Sequence, residues 1–91
     1  MKVIWRRAAL ADVGQAILYI AADKPGAAVE VLRRIRGVEP LLTMWPEIGR
    51  PAGSMTRRIL AVDRTPYFVV YEIRAKAILI TGVVHGRRNR R

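Results

Sequence analysis

"RRILAVD" (57–63), "YFVVYEI" (67–73) and "AILITGVVH" (77–85) decide the fold. Each run is rich in Val, Ile, Tyr or Phe, and a few polar or turn-forming residues separate it from the next, which is the pattern of β-strands with short connections. Three sequential strands so linked make an antiparallel meander. Side chains alternate across a strand, so Tyr67, Val69, Tyr71 and Ile73 share one face of the middle run, and Phe68, Val70, Glu72 and Arg74 share the other. Both faces are partly apolar. The first set is assigned to the core.

Upstream of the meander the period changes. "KVIWR" (2–6) is short and β-prone and reads as an edge strand. Leu10, Val13, Ile17 and Ile20 then recur at spacings of three and four, predicting a helix from about residue 8 to residue 22 with Tyr19 in its packed stripe. "DKPG" (23–26) ends it, and Pro25 suits the first turn of a second helix, where a missing N–H is no loss. Val29, Leu32, Ile35, Leu42 and Trp45 form the apolar stripe of that helix, and Gly37 and Pro40 predict a kink or break within it. A Pro- and Gly-rich loop, "WPEIGRPAGS" (45–54), leads into the meander. The expected architecture is α+β, in the order β-α-α-β-β-β, with a helical hairpin on one face of a small antiparallel sheet. A hairpin covers only one face, so the other should present an apolar surface of the kind that marks a binding site.

A chain of 91 residues supports one domain, expected over 1–86, followed by a basic tail at 87–91. Seventeen Lys and Arg against seven Asp and Glu make a formal net charge of +10. That field attracts nucleic acid, anionic membrane or an acidic protein and does not choose among them. With no cysteine there are no disulfides, thiol nucleophiles or thiolate metal sites. The N-terminus lacks the apolar stretch of a signal peptide, and no segment approaches the ~20 apolar residues of a membrane span, so a soluble cytoplasmic protein is expected.

Little classical chemistry is available. His85 is the only histidine and Ser54 the only serine, and nothing in their spacing argues for a Ser-His-Asp hydrolase. One His and scattered carboxylates make no convincing metal site, and the seven glycines never form a phosphate-binding loop. No metal and no cofactor are expected. For Arg87, Arg88, Arg90 and Arg91 two readings stand side by side, a solvated tail and an electrostatic docking patch. Arg50 could cap the helical hairpin, and Trp5 and Trp45 suit core or rim packing better than base stacking.

The order of these pieces resembles the RelE/ParE superfamily of toxins from type II toxin–antitoxin modules. The resemblance runs through Ala9, Asp12, Val13, Ala16, Tyr19 and Ile20 in the first helix, "KPGAA" (24–28) at the helix junction, and Leu42, Pro46, Gly49 and Arg50 after the second helix. It continues through Arg58, Leu60, "YFVVYEI" and "ILITGVVHGRR" (78–88) in the strands. The resemblance implies a toxin neutralised by a cognate acidic antitoxin in a possible hetero-oligomer. Its ParE-like branch, which this chain resembles more closely, poisons DNA gyrase, whereas RelE-like members cleave messenger RNA on the ribosome. Nuclease relatives carry a glutamate, an arginine and an aromatic residue where this chain holds Ala52, Phe68 and Gly86. The favoured reading is therefore a gyrase-binding protein rather than an enzyme. Its target or antitoxin interface is expected at Phe68, Val70, Val83, His85, Arg87 and Arg88. The first alternative is a metal-independent endoribonuclease using His85 as acid or base with Arg58 and Arg87 as cations. The second is a basic nucleic-acid-binding module.

Overall fold

The computed structural model describes residues 1–87. Strand β1 (Lys2–Trp5) leads into helix α1 (Arg7–Ala21), α2 (Pro25–Arg36) and α3 (Val38–Met44). Then come β2 (Arg50–Pro51), β3 (Arg57–Ala61), β4 (Tyr67–Ile73) and β5 (Ala77–His85). The expected break in the second helix falls at Gly37, which separates α2 from α3. Pro40 lies in the first turn of α3, where backbone N–H groups have no partner within the helix to lose. Pro25 opens α2 in the same way.

The strands form one sheet in the order β1-β5-β4-β3-β2. The β3-β4-β5 meander is antiparallel, as its short connections require. Strand β1 lies parallel to β5, making the sheet mixed rather than purely antiparallel. Its direction follows from the connection: a strand joined to the meander through three helices need not reverse beside its partner. The two-residue β2 extends the other edge, pairing Arg50 with Ile59 and Pro51 with Arg58.

Tyr67, Val69 and Tyr71 are buried against the helices and Ile73 is packed at the margin of the same core. From the helical side Ala9, Ala16, Ile35, Val38 and Leu42 complete it. Large side chains such as Ile35, Leu42, Ile78 and Ile80 each stabilise the fold by ~1.5–3 kcal/mol when removed from water.

Two expectations give way to tertiary packing. Helix α1 rests on Ala9, Val13, Ala16 and Ile20, while Leu10 and Leu18 face outward. Tyr19, expected in the core, is 69% exposed. Alanines at the contact let the helix sit close to β5, so the smaller apolar edge lies inward. The second change is a bulge: Val70 pairs with Gly82 but Tyr71 pairs with Ile80, leaving Thr81 without an opposite residue. Beyond it the alternation of β5 switches sides. Val83, expected on the open face beside Phe68 and Val70, is therefore 6% exposed on the helix side.

Asp12 fastens α1 to this bulge. Its Oδ2 accepts the backbone N–H of Val83 at 2.9 Å, a charge-assisted bond between residues distant in sequence. Asp12→Ala is expected to lower stability by ~1–3 kcal/mol, because the Val83 N–H loses its partner. Urea denaturation of the two proteins measures the difference.

Candidate functional site

The face of the sheet away from the helices consists of short apolar rows. Register places Ala61, Phe68 and Val84 in one row, and Ile59 and Val70 in the next. Leu79 and Ile4 continue the surface toward β1. Phe68, Val70, Val84, Ile59 and Leu79 are only partly buried, and no helix covers them. Polar residues rim one end, where Arg57 pairs with Glu72 and Arg74 donates to the Glu72 carboxylate at 2.6 Å. Phe68 also covers Gly86: a Cβ on that glycine would lie 3.0 Å from the ring. The aromatic ring thus occupies the space that a larger residue at 86 would need.

His85 faces the other side. Its ring meets Tyr67 edge to face, with centroids 5.2 Å apart and planes at 89°. Its Nδ1 accepts the Arg87 backbone N–H at 3.1 Å, placing the proton of the neutral ring on Nε2. Together with Asp12, Gln15, Tyr67 and Val83 it lines a polar recess of about 340 Å³ between α1 and the sheet.

Arg58 sits at the far end of this same side. It pairs with Tyr71, four residues along β4 from Tyr67, the partner of His85, a separation of roughly 13 Å along the strand. Its guanidinium donates to the carbonyls of Gly49 at 2.6 Å and Glu47 at 3.2 Å. The arginine that closes the loop after α3 is therefore Arg58. The Tyr71 hydroxyl completes the closure, donating to the Pro46 carbonyl and accepting the Gly49 N–H, each at 2.8 Å. Burial pushes the Tyr71 phenol above its ordinary range, which keeps it protonated and able to donate.

Of the residues singled out in the sequence, Phe68 and Val70 share one open surface. Val83 and His85 lie across the sheet from it, and Arg58 is engaged at the other end. Arg87 follows His85 and is exposed, while Arg88 and the rest of the tail from 88 to 91 lie outside the described residues. Trp5 packs at the core margin and donates to Glu39 at 2.9 Å, whereas Trp45 is 58% exposed. Two features escaped the sequence reading, the Asp12 bond and a groove behind Trp45. The only signal for the first was a lone acid in an apolar helix. For the second it was Leu41, Met44 and Ile48 clustered with Trp45 around a loop. Among the described residues no three His, Asp or Glu converge to hold a metal ion, and no helix is long and apolar enough to cross a membrane.

The fold defines a class, the small α+β domains of RelE/ParE type. Residues 3–90 match the family model described as the ParE toxin of the type II toxin–antitoxin system parDE. The chain is 31% identical over 85 residues to Y4kP, a Sinorhizobium fredii protein whose name marks it as an unconfirmed toxin; the match covers 93% of this chain and 88% of the relative. A solved structure titled "Chromosomal ParDE TA system from P. aeruginosa" superposes with a TM-score of 0.85 at 23% identity, covering 93% of this chain and 95% of the other. The chain belongs to the ParE family of toxins of type II toxin–antitoxin systems.

Proposed function

We propose that this ParE-type toxin arrests growth in the cytoplasm by docking on a protein, DNA gyrase foremost, and that a cognate acidic antitoxin neutralises it. Residues 1–86 act as one domain in this reading, and the arginines at 87–91 add electrostatic attraction.

The observation that carries it is the bare sheet face of Phe68, Val70 and Val84, with Ile59 and Leu79 beside it. Such a surface suits a protein partner, since an RNA backbone is held mainly by cations and hydrogen-bond donors. Geometry also weakens the nuclease alternative. Metal-free RNA cleavage needs an acid, a base and cations around one phosphate, yet His85 and Arg58 stand at opposite ends of β4 and Arg58 is committed to two carbonyls. The net charge of +10 supports an acidic antitoxin, and the similar P. aeruginosa structure is of a ParDE toxin–antitoxin system.

Inducing the toxin without its antitoxin, then pulse-labelling DNA and protein, tests the target. DNA synthesis is expected to fall first, and purified toxin is expected to inhibit DNA supercoiling by gyrase. An initial fall in protein synthesis, with cleaved messenger RNA, would instead establish the nuclease.

A further inference from the structure

Arg50 ends the loop motif that follows the helical hairpin, and the structure relieves it of the capping duty that its position suggested. Arg58 holds the loop carbonyls instead. Arg50 pairs with Ile59, which pairs with Val70, so its side chain leaves the sheet on the open side and extends their row to the edge. Arg57 lies on the same side, two residues before Ile59 on β3. The two arginines are diagonal neighbours across the β2–β3 pair, a spacing of roughly 7–8 Å that long side chains can bridge.

Both are exposed, and among the described residues neither guanidinium is bonded to a carboxylate or a carbonyl. Their cationic neighbours are engaged, Arg58 with the Glu47 and Gly49 carbonyls and Arg74 with Glu72. Glu72 stands opposite Arg57 and is, among the described residues, the one acid that the strands turn to the open side, yet Arg74 holds its Oε1 at 2.6 Å. The backbone keeps Arg57 in place before any partner arrives: its N–H donates to the Ser54 Oγ at 3.1 Å, and its carbonyl accepts the Ala52 N–H at 3.0 Å. Two neighbouring like charges with no counter-ion repel each other, and an anion set between them removes that repulsion.

The surroundings select the anion. Ile59, Val70 and Phe68 spread inward from the pair, and such a surface packs against protein, whereas a phosphate backbone is held mainly by cations and hydrogen-bond donors. Within a protein partner the matching group is a carboxylate, which a guanidinium meets through two parallel N–H···O bonds. A second copy of the chain is a poor source of one. It carries a formal charge of +10, and its Asp12, Glu30 and Glu72 are already bonded internally.

We propose that Arg50 and Arg57 form a paired guanidinium clasp at the edge of the open sheet face, receiving an Asp or Glu side chain of the docked target protein. The apolar rows supply contact area, and the clasp fixes the orientation of the partner. The assignment rests on the reading that the target docks on this face.

The test titrates purified toxin into a gyrase supercoiling assay at low and at high salt. Arg50→Gln with Arg57→Gln is expected to raise the concentration for half-inhibition ~30-fold or more, and to make the remaining inhibition less sensitive to salt. Arg50→Lys keeps the charge without the planar fork and should fall between this variant and wild type. Lys24→Gln with Arg36→Gln removes the same charge from the helical hairpin and should inhibit as wild type does. All four positions are exposed, and unchanged thermal melting verifies that each variant is folded. Wild-type potency in the Arg50 and Arg57 double variant, with Val70→Asp inactive, would overturn the clasp and leave the docking face standing. Wild-type potency in Val70→Asp would overturn the face and the clasp with it, as would a wild-type toxin that leaves gyrase active. Tight binding of the toxin to a DNA duplex alone, abolished by the double substitution, would assign the clasp to phosphate and overturn the carboxylate.

Discussion

Toxin carrying Val70→Asp is expected to accumulate and fold yet fail to arrest growth. Val70 stands at the centre of the open sheet face, flanked by Ile59 on β3 and Gly82 on β5. In the free protein a carboxylate there still reaches water, so the folded state loses little beyond the ~1 kcal/mol range of strand propensity. In a complex the same carboxylate is desolvated without a partner, which costs roughly 2–5 kcal/mol and weakens binding at least ~30-fold. Phe68→Asp should act likewise, with an added loss of the ring over Gly86. His85→Ala, across the sheet, should keep its toxicity. Colony counts after induction, with circular dichroism of the purified variants, measure both sides of the comparison. Persisting toxicity in Val70→Asp, with toxicity lost in His85→Ala, would shift the active surface to the recess between α1 and β5.

Gly49→Ala should produce the largest loss of stability. A Cβ at this position would stand 2.8 Å from the Tyr71 hydroxyl, 2.9 Å from the Ile59 carbonyl oxygen and 2.9 Å from the Tyr71 ring. One of these neighbours is backbone in the middle of a strand and another is a fully buried ring, so neither can yield cheaply. Overpacking of this kind costs ~1–3 kcal/mol. Displacing the Tyr71 hydroxyl adds the cost of an unsatisfied N–H, so a melting temperature lower by on the order of 10 °C is expected. Tyr71→Phe removes the hydroxyl alone and should show a smaller part of the effect. Because burial raises the Tyr71 pKa, the neutral phenol's contribution persists through neutral pH and is lost only as the pH climbs beyond the ordinary tyrosine range. Differential scanning calorimetry of the three proteins gives the ranking directly.

The loop motif acquires its meaning here. Leu42, Pro46, Gly49 and Arg50 carried the resemblance in sequence, and the structure supplies reasons for three of them. Leu42 fills the core, Pro46 offers its carbonyl to Tyr71, and Gly49 leaves room for that hydroxyl. Arg50 is exposed on β2, and the guanidinium at the loop's carbonyls comes from Arg58, eight residues later. A candidate catalytic cation in the sequence is thus part of the loop's scaffold.

What the sequence determined by itself was everything that depends on local period. The meander, the helical hairpin, the break at Gly37 and the buried side of β4 all follow from patterns a few residues long, because pleat and helical turn repeat on that scale. The uncovered face bearing Phe68 and Val70 was legible for the same reason. Tertiary structure decided the rest. Helix α1 is apolar on nearly every side, so periodicity could not say that its Ala9–Ala16 edge, rather than Leu10, would meet the sheet. One unpaired residue, Thr81, reverses the alternation of β5 and carries Val83 and His85 to the helix side, and such a bulge arises from pairing with β4 rather than from β5 alone. The groove behind Trp45 has the same origin: it exists because Tyr71 and Arg58, far along the chain, hold the loop in place.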